Sequence, residues 1–507
     1  MEKNLKIVDA YGRSIPRSAL YADYEGASAG RRLAAWGTSG SGVNSSIIGS
    51  LGSLRSRSRE LIRNNPLVSG GTDGYVANLI GSGISPRWLL ADKVLKADIQ
   101  QLWADFMLES DFDGLLSGYG QQSLTSRGLI DAGESLTRFI YYEPSEDLAV
   151  PLKLQTMEAD HLDHSFNGTA LTGNEIRMGI EVTKKQQKIA YHLFRQHPGE
   201  IYSMSNDTTR EVVPAHEIIH TFRPIRAGQL RGRPWLASII VKLHELDQYE
   251  DAELVRKKTA AMFGGFITEE AGQPDPSAYL GTRQEADTTG REIIALEPGT
   301  FPVLPKGLSV TFSQPTDVGI TTGVWLKQQI REIAVGMGVT YEQLTGDLSG
   351  VNYSSIRAGL LEFRRRCQQV QFEIIIFQYC QRIAREFLIV AVLSNRIKIP
   401  DFFKNMRKYL RIKWRPDGWD WVDPLKDQQA EQLSVRSGFK SRSQVIAGQP
   451  GGRDIEDVDA EIKEDNDRAD KNEFVFDSDP RKVTKVGVAQ VEPDPATPPD
   501  NGGNKNE

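Results

Sequence analysis

Apolar positions recur at helical spacing from about 98 to 130, through Ile99, Leu102, Trp103, Phe106, Leu124 and Leu129. That step is the mark of helices with one buried face. From about 134 to 222 the pattern changes. Leu136-Thr-Arg-Phe-Ile-Tyr-Tyr142, Leu152-Lys-Leu-Gln-Thr-Met157 and Lys188-Ile-Ala-Tyr-His-Leu-Phe194 are short β-rich runs separated by Gly, Asn and Pro, which predicts strands. Residues 55–232 therefore read as one α+β domain. A long helix follows, with Pro234 near its first turn, where a missing N–H costs nothing. Leu236, Ile239, Ile240, Leu243, Leu246 and Leu254 share its apolar face. Arg256, Lys257 and Lys258 fall in its last turns, where the helix dipole favours cations, and Gly264-Gly265 ends it. Residues 264–322 are rich in Gly, Pro and Thr with short strand-like runs, a small β-containing insert. In the next helix Leu326, Ile330, Ile333 and Met337 step by 4, 3 and 4 before Gly336-Met-Gly338 stops it. A polar loop leads to a last long helix over about 353–392, carried by Ile356, Leu360, Phe363, Cys367, Val370, Ile374, Phe377 and Ile383.

The flanking segments are less regular. Residues 1–54 are rich in Gly, Ser and Ala, with Tyr21, Tyr24 and Trp36 interspersed; a free arm and an arm laid on a partner surface both fit. Residues 55–68 hold four arginines and one acid, read as a solvated helix face in preference to a nucleic-acid contact. Residues 402–415 carry six bases and no acid, and 453–473 carry ten acids against four bases. The end of the chain, from 475, has a disordered composition.

At 507 residues, 39% hydrophobic and 25% charged, the chain suits about three folded domains. Its net charge of −6 excludes a basic nucleic-acid grip at the level of the whole chain. Two cysteines, Cys367 and Cys380, exclude a disulfide scaffold and fit a reducing compartment. No apolar run approaches the roughly 20 residues of a membrane span. No apolar segment follows the charged N-terminus, so no secretory signal is expected.

The sharpest catalytic pattern is His216-Glu-Ile-Ile-His220. On a helix the two histidines would share a zinc ion, with Glu217 as general base and Glu245 or Glu250 as a possible further ligand. Pro214 and Pro224 bracket the motif, however, and Ile218, Ile219, Thr221 and Phe222 favour strand. On a strand, positions four apart lie about 13 Å from each other, too far to hold one ion. The structural reading is therefore preferred, with no catalytic residue, metal or cofactor expected. His161 and His164 lie in a turn-like stretch and make a weak pair. Asp111-Phe-Asp113-Gly opens like a calcium loop but lacks its final glutamate. No Gly-Lys dipeptide occurs, so there is no phosphate-binding P-loop; an ATPase working beside this protein would be another chain.

Four long strings occur in order: Arg59-Glu-Leu-Ile-Arg-Asn-Asn-Pro66, Ile219-His-Thr-Phe-Arg-Pro-Ile-Arg-Ala-Gly-Gln-Leu-Arg-Gly-Arg-Pro234, Leu344-Thr-Gly-Asp-Leu-Ser-Gly-Val-Asn-Tyr-Ser-Ser355 and Trp419-Asp-Trp-Val-Asp-Pro424. Together with the order helix, β insert, helix, loop and long helix, they make the chain resemble the lambda-type portal proteins of tailed bacteriophages over roughly 20–470. The resemblance implies an α+β portal fold: an N-terminal arm (1–54), a wing (55–232), a first stem helix (233–263), a clip (264–317), a second stem helix (318–339), a tunnel loop (340–354), a long helix and wing return (355–423), a crown (424–474) and a disordered tail (475–507). It implies a ring, usually of twelve copies, at one capsid vertex, through which DNA is packaged, retained and ejected. It makes Thr345, Gly346, Asp347, Leu348, Ser349, Gly350, Val351 and Asn352 the channel loop. Ile239, Leu243 and Leu246 would pack against Leu326, Ile330, Ile333 and Met337, a seam that a neighbouring subunit's stem helix could complete. The implied partners are further copies of the chain, double-stranded DNA passing without sequence preference, the terminase large subunit, a head–tail adaptor, and the major capsid and scaffold proteins, with no membrane. The implied location is the virion, after assembly in the host cytoplasm. Twelve copies would carry about −72 in charge, which suits a channel wall along which DNA slides.

Overall fold

The computed structural model describes residues 39–144, 147–200, 209–262, 285–286, 292–293, 321–420, 423–449 and 453–474, with 31, 36, 37, 451 and 476 as single positions. The arm before 39, most of the clip and the tail after 476 lie outside the described residues.

The fold is α+β. It opens with α1 (Val43–Ile48), α2 (Leu51–Asn64) and α3 (Pro66–Ile80). Asn65 starts α3: its side chain accepts from the N–H groups of Leu67 and Val68 at 3.1 and 3.2 Å, and Pro66 fills the first turn. After strand β1 (Ser85–Trp88) come α4 (Lys93–Glu109) and α5 (Gly118–Asp131), which split the expected helical stretch in two. The turn between them is held by Asp111, whose carboxylate accepts from the backbone of Leu115 and Leu116 and from Gln121. The calcium-like string is therefore a turn cap.

Strands β2 (Glu134–Tyr141), β3 (Leu152–Met157) and β9 (Ile218–Phe222) form an antiparallel sheet in the order β3-β2-β9. A second antiparallel sheet runs in sequence order through β4 (Gly168–Thr169), β5 (Glu175–Arg177), β6 (Ile180–Val182), β7 (Lys188–Phe194) and β8 (Arg210–Pro214). Its inner face, with Ile180, Val182, Tyr191 and Val213, encloses a small core with Leu136 and Ile218.

The arginine-rich helix α2 corrects the solvated-face reading. Arg55 is 1% exposed and Arg59 only 22%; Arg57 and Arg63 alone face outward. Arg55 donates to Glu134 at 2.6 Å, and Arg231 donates to the same carboxylate at 2.7 and 2.5 Å. The Gly232 N–H and His220 Nε2 complete its shell at 2.5 and 3.1 Å. Burial by itself would raise the pKa of Glu134, but Arg231, Arg55 and His220 outweigh it and hold it well below the usual carboxylate range. This hub ties α2, β2, β9 and the loop before α6 together.

The helix expected over 233–263 differs at its start. Pro234 precedes a 3-10 turn (Trp235–Ser238), and α6 proper spans Ile240–Met262. Of residues 264–317, two paired strands are described, β10 (Glu285–Ala286) and β11 (Glu292–Ile293). The next helix is α7 (Thr321–Met337), followed by the short α8 (Tyr341–Thr345) and by α9 (Tyr353–Val370).

The expected long helix is a continuous rod with a widened middle: α9 passes into a π-helical segment (Gln371–Cys380) and then α10 (Gln381–Leu393). Ile374, Ile375 and Ile376 are all buried there. The Gln378 amide accepts from the Phe222 N–H and donates to its carbonyl, both at 3.0 Å, so a side chain satisfies the free edge of β9. After α11 (Met406–Tyr409), strand β12 (Ile412–Arg415) pairs antiparallel with β1. The chain ends in α12 (Pro424–Arg436), α13 (Arg442–Ala447) and α14 (Ile455–Lys471). The start of α14 docks through buried Asp454 on Arg87 and Arg415, at 3.0 and 3.3 Å.

Candidate functional site

Helices α6 and α7 lie against each other, with Lys242 bonded to Glu332 and the rings of Tyr249 and Trp325 edge to face. Ile239, Leu243 and Leu246 are buried with Ile333 and Met337 in the main core, and Leu326 and Ile330 pack half-buried against it. Part of the α7 seam, Ile333 and Met337, is thus buried within the same chain, while Leu326 and Ile330 keep part of their surface open. Leu254 lies off this face and is 50% exposed. The contact is close: a Cβ built on Gly336 would stand 2.2 Å from Cγ2 of Ile239, so a side chain there cannot be accommodated without movement.

Beyond α7, Gly338 turns the chain at a φ of +84°. Thr340 then caps α8: its hydroxyl accepts from the Gln343 N–H at 3.2 Å, and the Gln343 side chain accepts from the Thr340 N–H at 3.0 Å. The expected loop over 340–354 is therefore shorter, because its first part is helix. Leu344 on α8 is buried. Gly346 ends α8 at a φ of +70°, a conformation that favours glycine. From there the chain is irregular until Asn352, whose side chain accepts from the Ser355 N–H at 2.9 Å and starts α9.

Asp347 organises this loop. One carboxylate oxygen accepts from the Ser349 N–H at 3.0 Å and the Ser349 hydroxyl at 2.5 Å. The other accepts from Lys327 Nζ and the Tyr341 hydroxyl, both at 3.1 Å. The Ser349 bonds, with Lys327 and Tyr341 behind them, hold this carboxyl far below its ordinary range. Lys327 also lies 4.9 Å from the Tyr341 ring centroid, and Arg331 5.6 Å from it. The loop's own sequence has no base, yet its aspartate is paired with a lysine of α7. Sequence reasoning missed Lys327, Arg331 and Tyr341; the only available signal was the spacing of the two bases by four on α7, which places both on one face. Leu348 remains 61% exposed at the tip. Thr345 donates to the Tyr341 carbonyl and accepts from the Asp347 N–H at 2.9 and 3.1 Å.

The zinc motif does not form. His216 stands in the turn between β8 and β9 with 78% of its side chain exposed, while the side chain of His220 is 1% exposed and bonded to Glu134. Burial, and then Lys188, push the His220 pKa down to about 4. Among the described residues the one group with metal-like proximity is Glu158, Asp160 and His197. Arg59 already supplies a positive charge there, 3.0 Å from Glu158 and 2.6 Å from Asp160.

The sequence pattern of the lambda family of phage portal proteins matches residues 29–371, which contain the two sheets, helices α6 and α7 and the loop between α8 and α9. The chain belongs to that family. This portal protein is 31% identical over 345 residues to a probable portal protein of Halomonas phage phiHAP-1, a match covering 67% of this chain and 64% of the relative. It is 21% identical over 489 residues to portal protein B of Escherichia phage lambda, covering 87% of this chain and 89% of that one. Among solved structures it is similar to a chain in the virion of a native gene transfer agent particle, at 16% identity and a TM-score of 0.43, covering 79% of this chain and 94% of that one. Portal proteins are structural components of the virion with a role in DNA packaging.

Proposed function

We propose that this portal protein closes into a ring, of twelve copies by family resemblance, at one vertex of the capsid, and that its channel carries DNA in and out. The observation that carries this reading is the family match across 29–371, which spans the whole stem, clip and loop arrangement without a break. In that arrangement Gly346–Asn352 lines the channel as the tunnel loop. The clip, lying between α6 and α7, docks the terminase during packaging and the head–tail adaptor afterwards. The interfaces are head-to-tail and close on themselves.

The deciding experiment is negative-stain electron microscopy of the purified full chain, with mass measurement of the particles. Rings with a central hole support the reading. A protein that stays monomeric at every concentration and salt tested, or builds closed shells without a hole, overturns it.

A further inference from the structure

A cleft of about 610 Å³ opens between β7, β9, the π-helical segment and α10. Lys188, Arg382 and Arg385 line it, and none of its lining residues is acidic. Arg382 donates to the His216 carbonyl at 3.0 Å. Lys188 lies 5.0 Å from the Phe222 ring centroid. Neither Lys188 nor Arg385 has a carboxylate partner among the described residues. Glu134 lies behind His220, but Arg55, Arg231, Gly232 and His220 already occupy its oxygens. His220 forms part of the cleft wall, with its Nδ1 buried and unbonded.

A cation held away from water without an anion is unfavourable. Burial accordingly brings Lys188 down to about 8. On the outer side Phe377 is 67% exposed, an apolar wall beside three cations. The cleft is therefore chemically incomplete: it fits a carboxylate carried on a segment with an apolar neighbour.

We propose that carboxylates of a second copy of this chain enter this cleft; the inference rests on the ring reading above. Charge complementarity selects the copy. Residues 453–473 hold ten acids and four bases, an excess equal to the −6 of the entire chain. On α14, Glu464 and Asp467 are exposed, one turn apart, and meet no cation among the described residues. One surface of the chain thus has unpaired cations and another has unpaired carboxylates, the arrangement a head-to-tail contact needs.

A zero-length carbodiimide, which condenses an amine with a touching carboxylate, tests this on the full chain assembled from a mixture of two isotope-labelled populations. The expected product joins the Lys188 peptide to a 453–473 peptide of the other label. It disappears in Lys188→Arg, which keeps the charge and the assembly, and in Glu464→Gln/Asp467→Asn. Rings in which Lys188 stays unlinked and open to an amine-acylating reagent overturn the proposal, as do links confined to one label. If micrographs of the same sample show no rings, the ring reading fails and this inference falls with it.

Discussion

Replacing Glu134 by glutamine removes one negative charge from the interior and leaves two guanidinium groups there. In the native protein Glu134 is 0% exposed, with Arg231 at 0% and Arg55 at 1%. Removing one partner from a buried ion pair costs about 3–5 kcal/mol, because the remaining charge is neither hydrated nor paired. Glutamine keeps an oxygen for Arg231, which places the expected loss near the lower end, about 3 kcal/mol. Arg55→Met is the control. It leaves the two-bond Arg231–Glu134 pair intact at 2.7 and 2.5 Å and should cost less than half as much. The assay is urea unfolding at pH 7.5, followed by tryptophan fluorescence and circular dichroism. With a slope of roughly 3 kcal/mol per molar urea, the Glu134→Gln midpoint should fall by about 1 M. The pH dependence has a definite sign. The folded pKa of Glu134 is depressed, so its contribution is fully present above the unfolded value of about 4.3 and is lost only as pH falls below it. Equal destabilisation by Glu134→Gln and Arg55→Met, or a loss under about 1 kcal/mol for Glu134→Gln, would refute the buried-hub reasoning.

Four further outcomes are expected. His220, brought down to about 4 in the folded chain, stays neutral while the unfolded chain takes up a proton below about 6.5, so stability should fall by up to about 1.4 kcal/mol per pH unit between those values; that slope should be missing from the same titration of His220→Gln. Gly336→Ala puts a Cβ against Ile239 and should cost about 1–3 kcal/mol by thermal unfolding, and Gly336→Ala/Ile239→Ala should lose less than the sum of the two single losses. Asp347→Lys breaks the contacts with Lys327 and Tyr341 and adds cations to the channel; its rings should assemble but package DNA more slowly, with relief at higher salt, and packaging at the native rate at low salt would remove Gly346–Asn352 from the channel. Elemental analysis of the purified protein should show no stoichiometric zinc, and one zinc per chain that disappears in His216→Ala would reverse the reading of that motif.

Much of the architecture was legible along the chain. Leu152–Met157 and Lys188–Phe194 form strands with the bounds their alternation indicates, because local propensity and burial agree there. The β-branched residues before Pro224 gave the strand reading for His220, which lies on β9, whereas His216 falls in the turn before it. The 4-3-4 step of α7 marked its buried face, since helical periodicity is a direct image of which side is dry.

What the sequence determined by itself was most of the long helices and strands, their apolar faces and, through four long strings, the family. What only the tertiary structure decided was pairing between positions far apart. Arg55 lies 79 residues from Glu134 and Arg231 a further 97 beyond it, and no local pattern distinguishes a buried arginine from a solvated one until its carboxylate is in place. Asp347 looked like a free charge in a glycine-serine loop; a lysine 20 residues upstream on α7 makes it a tether. Gln378, in the π-helical segment Gln371–Cys380, likewise finds its partner 156 residues away, on the edge of β9. Periodicity records burial one residue at a time, whereas charge pairing and edge satisfaction depend on which elements meet, and that is fixed only when the chain has folded.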